Sequence, residues 1–302
     1  MDMKFFILAG VFLLLMWFVV NASWGQPRKV TLTAEVVVDN RSDIDIRGYT
    51  HRISVPLRDH MQQRLLDIRY DYPEQLKRKH HKLGNGEYVE MEWDIPAGSR
   101  SVRTVQFDLE ITSYDFHKIA PTQEATPPDE YLKPRKYIES DAEPIRKLAT
   151  HIRRAFDSDE DRLRAAYLTP QQLLEYDVQS TKGALYAVNE GEGDCTEYAA
   201  LFVALARAMG YPARTTSEFL MTSKREFNQP NHHAAEVYIG GRWIPVDPNL
   251  ALDSRFGYGF GVGGKEKIVL NRDFTWVWSN LWPRELRGKR DQVDVDIHWS
   301  VK

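Results

Sequence analysis

The stretch GEGDCTEYAALFVALARAMGYPAR, residues 191 to 214, holds the only cysteine in 302 residues. Asp194 to Met209 carries an apolar face of Ala199, Leu201, Phe202, Leu205, Ala206 and Met209, the spacing of a helix. Gly210 fits the C′ position and Pro212 follows it, so the stop signal is clear. Cys195 therefore falls in the first turn. A helix N-terminus presents unsatisfied N–H groups and a partial positive charge, which favour a thiolate over a thiol. The Cys195 N–H is also placed to face an oxyanion on an attacked carbonyl. Gly191 and Gly193 let a substrate chain pass close by. Taken alone, the segment leaves inert packing as the alternative, since a lone cysteine is commonly a small buried hydrophobe.

A thiolate nucleophile needs a base, and NHHAAEVYIGGRWIPVDPN, residues 231 to 249, supplies one. Two apolar runs joined by Gly240-Gly241 predict a hairpin. With those glycines as the loop, Val246 opposes Ala235 and Asp247 opposes Ala234. Ala234 shares a face with His232, so Asp247 and His232 become diagonal neighbours on one face. His233 points the other way, which also makes the adjacent histidines a poor chelate. Glu236 shares the His232 face and is a candidate structural partner there. Asp247 before Pro248 could be a turn former and nothing more. Nucleophile Cys195, base His232 and orienting carboxylate Asp247 are together far more specific than any one of them.

These residues must be positioned by elements of two kinds. From Lys29 to about Ser113 apolar residues alternate: Val30, Leu32, Ala34, Val36 and Val38; Val89, Met91 and Trp93; Val105, Phe107, Leu109 and Ile111. Such alternation marks half-buried antiparallel strands, and the length suits a small β-sandwich over residues 29–114. Residues 115–140, broken by Pro121, Pro127, Pro128 and Pro134, read as a linker. From there the period is helical: Ala142 to Phe156, a helix opened by Thr169-Pro170, and a short piece from Gly183 to Val188. A catalytic domain is expected over residues 141–302. In its C-terminal part FTWVWSNLW carries three tryptophans, read as closing a sheet core, and VDVDIHWSV reads as a final strand.

The N-terminus differs in kind. An unbroken apolar run from Phe5 to Val20 is short for a spanning helix and suits the core of a signal peptide. Cleavage after Ala22 is favoured, giving residues 1–22 as a leader. An uncleaved anchor is the alternative, with Trp17 and Trp24 at the interface. Either reading puts the body of the protein outside the cytoplasm, periplasmic or secreted.

Composition excludes several classes. A net charge of −3 and a pI near 6.3 disfavour nucleic acid as a partner. One cysteine makes no internal disulfide, and neither a CxxC framework nor a D-x-D-x-D-G loop is present. No cofactor or metal is therefore expected. KRKHHK, residues 77–82, reads as a solvated hairpin end, and SRFGYGFGVGGKEK lacks the strand–loop–helix context of a nucleotide site and reads as a flexible rim of the groove.

GDCTEYAALFVALARAMGYPAR followed by HHAAEVYIGGRWIPVDP resembles the transglutaminase-like superfamily of papain-related cysteine enzymes, over about residues 140 to 250. The family pattern is G-x-C-x-E/D-x-A, a Gly-hydrophobic-Pro-Ala-Arg strand, H-A/M-W-x-E-V and W-x-P-V-D-P. Cys195 matches the nucleophile, Asp247 the third triad member and Glu236 the acid of the histidine motif; the family histidine, four residues earlier, is His232. Ala234 stands where the family has tryptophan, which opens that wall of the substrate channel. The resemblance implies an α+β fold: a papain-like transglutaminase core, helices on an antiparallel sheet, preceded by the β-sandwich. It implies acyl transfer from protein or peptide amides through a Cys195 thioester, with His232 shuttling the proton and Asp247 holding His232. An amine acceptor gives cross-linking; water gives a protease or amidase. Tyr176 and Gln179 both remain candidates for the second oxyanion donor. The alternatives are a cysteine protease or amidase without transfer activity, and a non-catalytic scaffold on the same fold. Contact with a membrane would come only through the uncleaved anchor.

Overall fold

Alternating burial organises the first part of the chain. The computed structural model describes residues 26–58, 60–119, 124–221, 226–275, 280–281, 286 and 288–302. The apolar run 5–20, the leader boundary at Ala22 and Trp276, Trp278 and Trp282 lie outside the described residues. Among the described residues no helix is long and apolar enough to cross a membrane. Strands β1 (Arg28–Asn40), β2 (Ile46–Val55), β3 (Gln63–Tyr70), β4 (Leu76–His80), β5 (Glu87–Ile95) and β6 (Ser99–Ile111) form two antiparallel sheets. The inward residues predicted from the sequence, from Val30 to Ile111, are all buried in one core between them. This is the expected β-sandwich. Strand β4 bears the basic run and sits exposed at the edge of its sheet, where charged side chains discourage pairing with other chains.

Helices α1 (Glu143–Ala155), α2 (Asp159–Leu173), α3 (Ala184–Glu190) and α4 (Cys195–Met209) follow. Every side chain of α4 except Ala208 is buried, because α1, α2 and α3 surround one side and a further antiparallel sheet covers the other. That sheet contains β7 (Ala213–Leu220), β8 (His232–Ile239), β9 (Arg242–Val246) and β10 (Lys267–Arg272), in the order β9-β8-β7-β10. The α+β class and the helix-on-sheet core are as expected. The start of α2 is not: Thr169-Pro170 lies in its last turns. The true start is Ser158, whose hydroxyl accepts from the Asp161 N–H at 3.0 Å. Proline is best suited to a first helical turn, but here it stands inside the helix at the loss of one backbone hydrogen bond, so it marked the wrong terminus.

Two boundaries differ from expectation. Strand β11 (Val293–Val301), assigned by sequence to the catalytic domain, instead pairs antiparallel with β1, with Leu32 opposite Val301 and Val38 opposite Val295. Its Trp299 is buried among Phe107 and Phe219. Alternation reveals that a strand has a buried face but not which sheet receives it. The expected linker 115–140 is also bound down. Tyr114–Asp115 pairs with Val262–Gly263, and the fully buried Tyr131 gives its hydroxyl proton to Asn85 Oδ1 at 2.6 Å.

The sandwich grips the open edge of β10. Leu57 N–H donates to Val269 O at 2.9 Å, Gln62 Nε2 to Lys267 O at 2.6 Å and Gln63 Nε2 to Val269 O at 2.8 Å, while Gln63 Oε1 accepts from Val269 N–H at 2.7 Å.

Three histidines are largely withdrawn from water: His51 within the sandwich, His60 where the sandwich meets Glu236, and His233 on β8. Burial pushes His51 down to about 4, His60 to about 3 and His233 to about 4. The unfolded chain takes up these protons near pH 6.5 and the folded one only well below it. Stability therefore falls as pH falls through that window, by about 1.4 kcal/mol per pH unit for each proton. The urea midpoint is expected to drop clearly between pH 7 and pH 5; equal midpoints would contradict neutral burial of these rings.

Candidate active site

The helix start is built as the sequence predicts. Asp194 is the N-cap, its Oδ1 accepting from Thr196 N–H at 2.8 Å, and Glu197 Oε2 accepts from Asp194 N–H at 3.3 Å, completing a capping box. Fully buried Glu197 also accepts from Lys182 and Gly183 N–H at 2.8 and 3.1 Å with Oε1, so one carboxylate ties the preceding loop to the helix. Gly193 is required beside it, since a Cβ there would meet Glu197 Cβ at 2.4 Å. These contacts fix Cys195, which is buried, with 9% of its surface exposed.

The hairpin takes the expected register. Ala235 pairs with Val246, and Gly240 and Gly241 both have positive φ, as a type I′ turn demands. His232 Nε2 lies 2.9 Å from Asp247 Oδ2. Because a carboxylate only accepts, Nε2 carries the proton and Nδ1 is left for the thiol. Burial alone would lower the His232 pKa. The charge and hydrogen bond of Asp247, with added pull from Cys195, outweigh it and push it up to about 10. Burial opposes ionisation of Asp247 too, but Lys267, His232 and the Leu250 N–H at 2.8 Å hold its carboxyl well below the usual range. The structure thus brings Cys195, His232 and Asp247 together. His233 points away, its Nδ1 3.1 Å from Thr216 O.

Glu236 serves a second cluster on the same strand. Arg214 Nε donates to its Oε2 at 2.6 Å and Arg272 Nε at 2.8 Å, and His60 Nε2 from the sandwich lies 3.4 Å from Oε1. Burial raises the Glu236 pKa, and the two guanidiniums overcome it and hold the carboxyl far below its ordinary value.

Sequence reasoning missed two buried charges. Lys267 Nζ lies 2.9 Å from Asp247 Oδ2 and 2.8 Å from Glu218 Oε2. Donor atoms of Glu218, His232 and Asp247 fall within 4.8 Å of one another, close enough for a metal ion, but a fixed ammonium already lies against both carboxylates. The segment read as a flexible rim ends in Lys267 and is packed instead: Tyr258 and Phe260 are buried, and Phe260 bridges to Val246. Its glycines gave the loop signal; they serve close packing, as at Gly261, where a Cβ would meet the Phe116 ring at 2.0 Å. The one available clue was a lysine and a glutamate placed directly against apolar strand residues.

Tyr176 and Gln179 both flank the helix start. Tyr176 is 56% exposed and electrostatically close to Cys195. Gln179 has its amide nitrogen and oxygen buried with no hydrogen-bond partner, and its backbone N–H is 3.5 Å from Asp194 Oδ2.

A helix-borne thiol against a hairpin-borne imidazole and carboxylate is the layout of papain-related thiol enzymes. Residues 146–248 match the family model of the transglutaminase-like superfamily, so the chain carries a transglutaminase-like core. Among solved structures, a protein of Cytophaga hutchinsonii provisionally named a cysteine protease is 17% identical, with a TM-score of 0.54 over 91% of this chain and 98% of the other. That likeness shows a shared fold spanning sandwich and core together. The periplasmic domain of TgpA from Pseudomonas aeruginosa is 15% identical, with a TM-score of 0.34 over 74% of this chain and 91% of that one. The search of curated proteins found no match.

Proposed function

We propose that the protein is a transglutaminase-like cysteine enzyme that cleaves or transfers acyl groups of protein or peptide amides outside the cytoplasm. The observation that carries the reading is the His232 imidazole, hydrogen-bonded to buried Asp247 on one side and facing the Cys195 thiol on the other. In the proposed reaction the Cys195 thiolate attacks the carboxamide carbon. The C–N bond breaks as His232 gives its proton to the leaving nitrogen, leaving a thioester. Water or an amine then attacks, His232 takes the proton, and the thiolate departs. The Cys195 N–H at the helix start is one oxyanion donor, and the orphaned Gln179 amide supports that side chain over Tyr176 as the other. Export rests on the apolar run Phe5–Val20.

The test uses residues 23–302 with casein, with and without a fluorescent primary amine. Amine incorporation or new casein fragments, abolished by Cys195→Ala, are expected, and the product formed tells transfer from hydrolysis. Neither product above the Cys195→Ala background would reject the reading and favour the scaffold alternative.

A further inference from the structure

We propose that Lys267 is a positioning residue that neutralises Glu218, so that Asp247 is the one carboxylate acting on His232. The inference rests on the function proposed above and concerns how its base is tuned. Asp247 is not the only acid near the imidazole: Glu218, on neighbouring strand β7, has a carboxylate oxygen within 4.8 Å of a His232 ring nitrogen. Two uncompensated carboxylates that close would repel one another and compete for the same proton. The Lys267 ammonium pairs with both, at 2.8 and 2.9 Å.

The arrangement is fixed on every side. Lys267 is almost fully buried, with 2% of its side chain exposed. Its Nζ also lies 4.4 Å from the centre of the Tyr258 ring, a cation–π contact, so all three faces of the ammonium are engaged. Glu218 Oε1 accepts from the Thr216 hydroxyl at 2.6 Å, which holds that carboxylate toward the lysine. The backbone of Lys267 is held from outside the catalytic sheet, because its carbonyl accepts from Gln62 of the sandwich. A free metal ion could bridge such acids but could also leave. A lysine on a clamped strand makes the compensation permanent.

The titratable groups around His232 are Asp247 after β9, Glu218 on β7, Lys267 on β10 and Cys195 at the start of α4. His233 is its strand neighbour, and Tyr114 and Tyr258 lie against the lysine. Lys267 and Glu218 therefore act on the imidazole with opposite signs. A residue that served only to prop β10 would have no such signature.

The test is the titration of His232, followed by imidazole nitrogen NMR in a Cys195→Ala background of residues 23–302, where the thiolate no longer contributes. Lys267→Met leaves Glu218 uncompensated and is expected to raise the midpoint by about one pH unit or more. Glu218→Gln leaves the ammonium in excess and is expected to lower it. The double variant removes one charge of each sign and is expected to return the midpoint to within about half a pH unit of the parent. Neutral replacement of a whole buried ion pair is commonly tolerated, so Glu218→Gln and the double variant decide the matter even where Lys267→Met alone does not fold. Midpoints that coincide in parent and Glu218→Gln, or a double variant displaced from the parent, would overturn the proposal. Failure of the proposed function reads out elsewhere, in the reactivity of Cys195 in the otherwise native chain.

Discussion

At pH 7, Cys195 in His232→Ala is expected to react with iodoacetamide at least about ten times more slowly than in the parent chain. The thiolate is the reacting species, and a charged imidazole beside the thiol favours it. Asp247 raises the proton affinity of that ring, so His232 stays charged through the neutral range and into the alkaline one. Alkylation of the parent should then exceed that of the variant throughout the neutral range. In the variant the thiol must ionise unaided, so the rate should climb with pH until the two curves approach each other. Amide turnover should fall further, by about a thousandfold or more, because in the proposed reaction His232 also supplies the leaving group's proton. Since the chain has one cysteine, labelled protein reports on this site and no other. Equal rates in parent and variant would make Cys195 a packing residue and leave only the fold in common with thiol enzymes.

Glu236→Gln should be the most damaging substitution to stability. The side chain is 3% exposed and accepts from two guanidiniums, Arg214 and Arg272, both themselves nearly buried. Removing the negative charge while leaving two buried cations typically costs about 3–5 kcal/mol. For a chain of this size that corresponds to a melting temperature lower by about 10 °C. Arg214 is further stacked 3.7 Å from the centre of the Trp243 ring, so it cannot readily swing out to solvent. Calorimetry of parent and variant at pH 7 measures the effect, and a difference under about 2 °C would show that the cluster is not ion-paired as described. Because Glu236 lies four residues from His232 on one face of β8, part of the loss should appear as slower Cys195 alkylation even below the melting range.

The central geometry was legible because it depends on local rules. The helix start at Cys195 follows from a cap, a stop glycine and an apolar stripe. The pairing of His232 with Asp247 follows from a two-glycine turn and the two-residue period of a strand. Glu236 could be placed on the correct face by the same period, though not among its partners, since Arg214, Arg272 and His60 arrive from three other segments. Lys267 and Glu218 were invisible for a related reason. A buried ion pair between strands satisfies no local pattern, and a lysine beside glycines reads as surface loop. The strand at 293–301 was recognised as a strand but given to the wrong layer, because nothing in its alternation distinguishes Val36 from a residue of the catalytic sheet as its partner.

That misplaced strand bears on how the molecule comes to exist. Residues 32 and 301 sit opposite each other in one ladder, so almost the whole described chain is a loop closed by β1 and β11. Closing so long a loop carries a large entropic cost, and contacts of such sequence separation are expected to slow folding. During synthesis the sandwich remains without its β11 strand until the core has already left the ribosome. Meanwhile β1 has an unpaired apolar edge, the kind of surface that recruits other chains. The core therefore has to form against a sandwich still missing a strand, and the sandwich is completed by the tail of the core's own chain.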